Sequence, residues 1–375
     1  MARSSGSGGR GSGTRVQAID GLRGVAALLV VLYHLHEAIA RTASDWLPAP
    51  LEFIARYGYM GVDIFFVISG FVIALSVSRG QPTFSYLGRF IFRRSIRLDP
   101  PYWVAILLEI GLLLLTLKLF TGITATLPST PQLLSHLFYA QELLGYGSIV
   151  QVFWTLCYEI QFYLFLVGSV VLYAKLPTAL RRPALAALAA AAVFLLSLYV
   201  RYFHVSWLPH GLALDRWFQF FIGVLTWRVV TGRGRFGILA GAWALLVAAV
   251  LLTGAGVLQF LVIAVSGLLV AVARRPAIGW ILTTRPVQFL GLISYSLYLY
   301  HASVGWRFVS LVQRLNPGEW SSAFALLVYL AGTALSIGVA AALWWLIERP
   351  FLALSQRIRL PLRNESTAGT APVAA

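Results

Sequence analysis

The sequence has a single cysteine, Cys157, in 375 residues. That excludes a disulfide framework and any metal site built on paired thiolates, and no metal is expected. Charge is also scarce: Asp, Glu, Lys and Arg make up 11% of the chain, well under the roughly 25% of soluble domains. Acids are the scarcest, with 13 Asp and Glu against 29 Lys and Arg and a formal charge of +16. In a soluble chain that excess points to nucleic acid. Here the arginines fall between apolar runs, the pattern that orients membrane helices, so no nucleic-acid partner is expected. No internal repeat is visible, which weighs against transporter folds built from inverted repeats.

Apolar residues, in contrast, form 59% of the chain. Ten apolar runs, each of about 17–26 residues and so long enough to span a bilayer as a helix, cover 18–40, 58–78, 100–120, 151–173, 183–200, 211–228, 236–254, 256–273, 286–307 and 322–347. The expected fold is an all-α polytopic membrane protein with about ten transmembrane helices. The stretch 131–146 is too short to span and is read as interfacial or re-entrant. Residues 1–16 read as a disordered basic Gly/Ser tail, 17–354 as the transmembrane domain and 355–375 as a flexible C-terminal tail. Residues 24–35 resemble the apolar region of a signal peptide, but no convincing cleavage site follows, so they are assigned to the first membrane helix. With the N-terminus inside, 22 basic residues fall on the cytoplasmic side and 7 on the other, which predicts both termini in the cytoplasm.

Ionisable residues inside apolar helices are costly against lipid and usually face a cavity or the bundle interior. Arg23 and His34 lie on one face of the first span, about 17 Å apart along the axis at 1.5 Å per residue. The arginine lies near the cytoplasmic surface and the histidine in the outer half. Counted from the helix ends, His34, Asp63, Glu159 and His301 fall at one depth, about 8–12 Å below the outer boundary. A second cluster, "FRRSIRLDPPYW", carries Arg94 and Arg97 on one helical face, with Pro100 and Pro101 opening the next helix. Guanidinium groups bind phosphates bidentately and keep their charge, so Arg23, Arg94 and Arg97 suit a polyanion at the inner surface. The two layers fit a long ligand, charged at one end and reactive at the other. Extended acyl-coenzyme A has that shape, with its thioester reaching His34.

The same residues carry a family resemblance. The elements "IDGLRGVAALLVVLYH", "GVDIFFVISGFVIA", "FRRSIRLDPPYW", "WTLCYEIQFYLF", "ISYSLYLYH" and "ERPF", in that order between residues 17 and 352, resemble the membrane-bound acyltransferase family 3. These bacterial O-acyltransferases modify surface polysaccharides, peptidoglycan, nodulation factors and some macrolides. The resemblance implies a bacterial plasma-membrane enzyme, acyl-CoA (most plausibly acetyl-CoA) as donor and a carbohydrate or polyol hydroxyl as acceptor. It implies His34 as the essential histidine and the inner arginines as donor-binding, with roles for Trp154, Glu159 and Tyr163. Some relatives carry a fused extracytoplasmic hydrolase-like domain; this chain is too short for one, so the membrane domain is expected to handle the acceptor alone.

Each residue has a plainer reading. His34 could be satisfied by Glu37; against that, its place on the face of Arg23 favours catalysis, as a base near neutral pH or as an acyl carrier. Glu159 either orients an imidazole or pairs with an arginine. Asp63 is catalytic or simply complements a helix dipole. Tyr298 and His301 share a face and are candidates, with Trp154 and Tyr163, for substrate binding. Most other aromatics read as interface anchors or packing. Ser69 and Gly70 read as small residues permitting close helix approach. Glu348 and Arg349 read as a local pair, Cys157 lacks a paired base, and Glu109 is assigned to the donor channel. The competing function is a proton-coupled transporter or a flippase of lipid-linked sugars, since intramembrane His, Asp and Glu also build proton relays.

Overall fold

Backbone polar groups in a bilayer must be satisfied within the chain. In the computed structural model, which describes residues 8–120, 126–203, 205, 208 and 211–362, the apolar runs do this as helices, and no strand occurs among the described residues. Seven segments are long and apolar enough to cross a membrane: Gln17–Ile39, Gly58–Arg79, Phe84–Leu119, Gln151–Lys175, Pro183–Tyr202, Phe236–Thr253 and Ser322–Gln356. The chain is a multi-pass membrane protein.

The expected ten spans differ from these seven for identifiable reasons. The run at 256–273 is a shorter apolar helix, Leu258–Arg274. The run at 211–228 opens as a 3-10 turn before α8 (Trp217–Val230). The run at 286–307 is broken into α11 (Arg285–Leu292), α12 (Ser294–His301), a π turn (Ala302–Trp306) and α13 (Arg307–Leu315).

The remaining helices are α1 (Gly8–Ile39), α2 (Ala49–Arg56), α3 (Gly61–Arg79), α4 (Phe84–Leu119), α5 (Thr130–Leu137), α6 (Trp154–Lys175), α7 (Pro183–Tyr202), α9 (Phe236–Thr253), α10 (Leu261–Arg274), α14 (Ser322–Leu343) and α15 (Arg349–Gln356). The apolar part of α1 begins at Gln17. The helix itself starts at Gly8, inside the segment read as a tail, while residues 1–7 and 363–375 lie outside the described residues. Residues 357–362, also assigned to a tail, run along the start of α4: Gln81 N–H and Nε2 donate to the Pro361 and Leu362 carbonyls, and Arg89 to the Arg359 carbonyl.

The expected helix start at Pro100 is a correction. α4 runs unbroken through Pro100 and Pro101. Prolines inside a helix remove backbone donors and normally disrupt it. Here α12 reinforces that stretch: Tyr295 Oη donates to the Leu98 carbonyl and Tyr300 Oη to the Pro101 carbonyl, each at 2.8 Å. α5 fits the short segment expected near 131–146. Its buried His136 bonds Tyr102 Oη at 2.6 Å, tying α5 to the middle of α4.

α1 is the central element, packing on α3, α11, α12 and α14. Ala26 and Val30 enter one apolar cluster, and Ala27, Val31 and Leu35 another. α3 and α8 approach through two glycines, as expected for Gly70. A Cβ on Gly70 would overlap the Phe220 carbonyl, and one on Gly223 the Val67 carbonyl. Backbone contact this close requires residues without side chains.

Candidate active site

α1, α3, α4, α6 and α12 bring three arginines to one cavity of about 90 Å3, lined by Arg23, Arg94 and Arg97 together with Glu159, Tyr163 and Tyr298. Arg94 is held by protein: its guanidinium lies 3.9 Å from the centre of the Tyr163 ring and 4.0 Å from Glu159 Oε1. Arg23 and Arg97 have no carboxylate within ion-pair distance among the described residues. Arg97 Nε is buried without a partner. A buried guanidinium with no carboxylate at ion-pair distance is chemically suited to an anion.

Glu159 corrects the single-depth reading. It belongs to the arginine cavity, where it accepts from Ser69 Oγ at 2.7 Å and faces Arg94. The reason is that α6, preceded by a 3-10 turn, starts beside Tyr298 of α12. Thr155, its second residue, already bonds Tyr298 Oη at 2.7 Å. Equal counts from helix ends therefore do not give equal depths. Ser69, read as a packing residue, is instead a donor to this carboxylate.

His34 lies beside His301 and shares a cavity with Asp63. The His34 ring lies 5.3 Å from that of His301 and 6.3 Å from Trp306. Among the described residues His34 makes no hydrogen bond to protein, while its neighbour His36 bonds Glu52 at 2.9 Å. The Glu37 reading of His34 finds no support. His301 is buried, with Nδ1 3.1 and 2.9 Å from the carbonyls of Leu297 and Tyr298. Two carbonyl neighbours require Nδ1 to carry a proton, so in the neutral ring Nε2 bears the lone pair. That Nε2 is buried without a partner. A π turn follows at once, the kind of helix irregularity that recurs at functional sites.

A polar cavity of about 240 Å3 joins His34 to Tyr33, Asp63, Trp154, Arg201 and Arg216. Asp63, only 4% exposed, accepts from Gln219 Nε2 at 2.6 Å and Arg216 Nη1 at 3.2 Å. It is therefore paired rather than free to act as a base on its own. Arg216 also lies over the Trp154 ring, 5.8 Å from its centre. Tyr298 lines both this cavity and the arginine cavity. Its hydroxyl is fixed to Thr155 and to the Val152 carbonyl. Tyr298 thus stands at the boundary of the two cavities.

Sequence reasoning missed several of these residues. Arg201, just beyond the run 183–200, and Arg216, near the start of the run 211–228, read as ordinary basic residues at span ends, and the adjacent Asp215–Arg216 pair is the one local signal of a buried network. Glu348, read as a partner of Arg349, instead accepts from both the backbone and hydroxyl of Ser296 and lies within electrostatic reach of Arg23 and Arg97. It sits in a second π turn, Trp344–Glu348. Glu109, assigned to the donor channel, forms an ion pair with Arg307 in a third cavity, one that His34 also lines. No group of three His, Cys, Asp or Glu able to hold a metal occurs among the described residues.

A family model described as an acyltransferase domain matches residues 16–345. The chain is 28% identical over 374 residues to a putative membrane-bound transacylase, BcsY, of Komagataeibacter xylinus, covering 94% of this chain and 87% of that protein. It is 35% identical over 97 residues to the peptidoglycan O-acetyltransferase OatA of Listeria monocytogenes, 25% of this chain and 13% of that one. It is 29% identical over 163 residues to a putative O-acetyltransferase of Staphylococcus aureus, 40% of this chain and 24% of that protein. No solved structure matches.

Proposed function

The chain belongs to the acyltransferase family it matches over residues 16–345, and we propose that it moves an acyl group, namely acetyl, from cytoplasmic acyl-CoA to a hydroxyl of a carbohydrate or other polyol across the membrane. The observation that carries this reading is the pair of cavities meeting at Tyr298, one holding unmatched arginines and the other an unbonded histidine. In this reading both termini are cytoplasmic and the membrane is the bacterial plasma membrane.

Arg23 and Arg97 take the donor's phosphates, and Arg94 is a fixed cation held by Glu159 and Tyr163. A cavity of about 90 Å3 suits a slender pantetheine arm rather than a nucleotide, so the nucleotide stays toward the cytoplasm. The arm passes Tyr298 and presents its thioester to His34. Trp154, with Asp63, Arg201 and Arg216, offers an aromatic platform and paired polar groups to a sugar, the mixture that fixes a polyol. The acceptor oxygen attacks the thioester carbon and its proton passes to His34. The carbon–sulfur bond breaks, and the thiolate leaves to take up a proton. No carboxylate bonds His34, so the orienting role falls to His301, whose ring lies 5.3 Å away: its buried, unpartnered Nε2 lone pair takes up the His34 N–H when the donor and acceptor are bound, leaving the other His34 nitrogen facing the hydroxyl.

The test is incubation of the purified protein with acetyl-labelled acetyl-CoA. Label released from the thioester by wild type and not by His34→Ala supports acyl transfer. A protein that neither binds nor consumes the donor rejects it and returns transport to the front.

A further inference from the structure

Two cavities, not one, are lined by His34, and the proposed reaction uses only the polar one. The other holds about 590 Å3 and shares His34 and Gln151 with the polar cavity. It lies between α4, where leucines accompany Glu109 and Thr116, and the π turn and α13, where serines and arginines accompany Trp306 and Leu311. On α4, Leu112, Leu115 and Leu119 follow at helical spacing, and Leu115 and Leu119 are 50% and 62% exposed. Opposite them, Ser303, Arg307, Ser310 and Arg314 line the π turn and α13.

The polar face is not spent on packing. Ser303 is 3% exposed and its hydroxyl is buried without a partner. Arg307 is neutralised by Glu109, but Arg314 has no carboxylate within ion-pair distance among the described residues and rests over the Phe120 ring, 4.8 Å from its centre. The groove therefore carries one uncompensated positive charge. Arg314 is eight residues beyond Trp306, which flanks His34, about 12 Å along a helix at 1.5 Å per residue. A free sugar would leave the leucine face uncovered, and a simple alkyl chain would leave Ser303 and Arg314 unanswered.

We propose that the acceptor is a membrane-anchored amphiphile: a polyol head in the polar cavity, an anionic phosphate-type linker at Arg314 and an alkyl chain along Leu112, Leu115 and Leu119. It enters sideways from the bilayer between α4 and α13 and presents its hydroxyl to His34. This rests on the acyl-transfer reading above and adds the class of acceptor to it.

The experiment uses membrane vesicles from cells that naturally make the protein, with acetyl-labelled acetyl-CoA, comparing wild type with His34→Ala. The expected result is label in the organic-solvent extract at least tenfold above His34→Ala, released into water by mild acid as a labelled polyol. Arg314→Glu and, separately, Leu115→Trp should each lower that label at least fivefold relative to acetyl-CoA hydrolysis in the same vesicles, and Arg314→Lys should recover most of it. His34-dependent label found only in water-soluble or polymeric material overturns the amphiphile and leaves acyl transfer standing; the groove then holds ordinary lipid. Organic-phase label indifferent to both Arg314→Glu and Leu115→Trp overturns the groove as its site. No His34-dependent label in any fraction overturns acyl transfer itself.

Discussion

The ring of His301 stands 5.3 Å from the ring of His34, and its Nδ1 is committed to the carbonyls of Leu297 and Tyr298. One nitrogen is spent holding the ring, so the other can act only as an acceptor. If it orients His34, His301→Leu lowers the turnover of acetyl-CoA about tenfold or more, equivalent to ~1.4 kcal/mol in the barrier, with little change in KM. His301→Gln, whose amide oxygen still accepts, recovers a measurable part. Equal losses in both variants, seen in steady-state kinetics, would argue that the residue only packs.

Arg97 makes a different prediction because its Nε is buried without a partner. Charge-assisted hydrogen bonds contribute about 1.5–3 kcal/mol, so Arg97→Ala should weaken acetyl-CoA binding roughly 10–100-fold. Isothermal titration against detergent-solubilised protein reads this directly. Unaltered binding would reduce Arg97 to a topology signal.

The Asp63–Arg216 pair, 3.2 Å apart with Asp63 fully enclosed, should show the asymmetry of buried ion pairs. Removing one partner costs about 3–5 kcal/mol because it strands the other. Arg216→Met, which strands the buried Asp63, should therefore lower the thermal midpoint by several degrees, and adding Asp63→Ala should recover part of the loss; Asp63→Ala alone should cost less, because Arg216 keeps Asp215 at 3.4 Å. A double variant as unstable as the sum of the singles would show that the two groups are not coupled.

Close backbone contact between α3 and α8 gives a prediction independent of chemistry. Gly70→Val drives a side chain into the Phe220 carbonyl. Overpacking of this kind typically costs about 1–3 kcal/mol, so the variant should express poorly or melt early. Gly168→Val, where no atom lies within 4 Å of the added carbon, should not.

Arg23 and His34 could be placed on one helical face from their spacing alone, because both positions belong to a single unbroken helix. The apolar runs likewise announced helices, since a bilayer leaves them no alternative. What the sequence could not carry was relative depth between helices. Glu159 was misplaced because the start of α6 is sunk to the level of Tyr298, a tertiary fact set by Thr155. The prolines at 100 and 101 signalled a helix start by local rules; two tyrosines nearly 200 positions away reinforce the helix instead. The Asp63–Arg216 pair joins residues 153 positions apart, and nothing local at either one announces the other. The run at 286–307 read as one span because apolarity persists through the breaks that turn it into separate helices.

The measurement closest to the central claim, one layer for the donor's phosphates and another for the chemistry, is acetyl-CoA binding and thioester hydrolysis by wild type, Arg97→Ala and His34→Ala, side by side. The account predicts that Arg97→Ala loses affinity, while His34→Ala binds the donor as wild type does and fails to turn it over. It is contradicted if wild type does not bind acetyl-CoA, or if His34→Ala hydrolyses it at the wild-type rate.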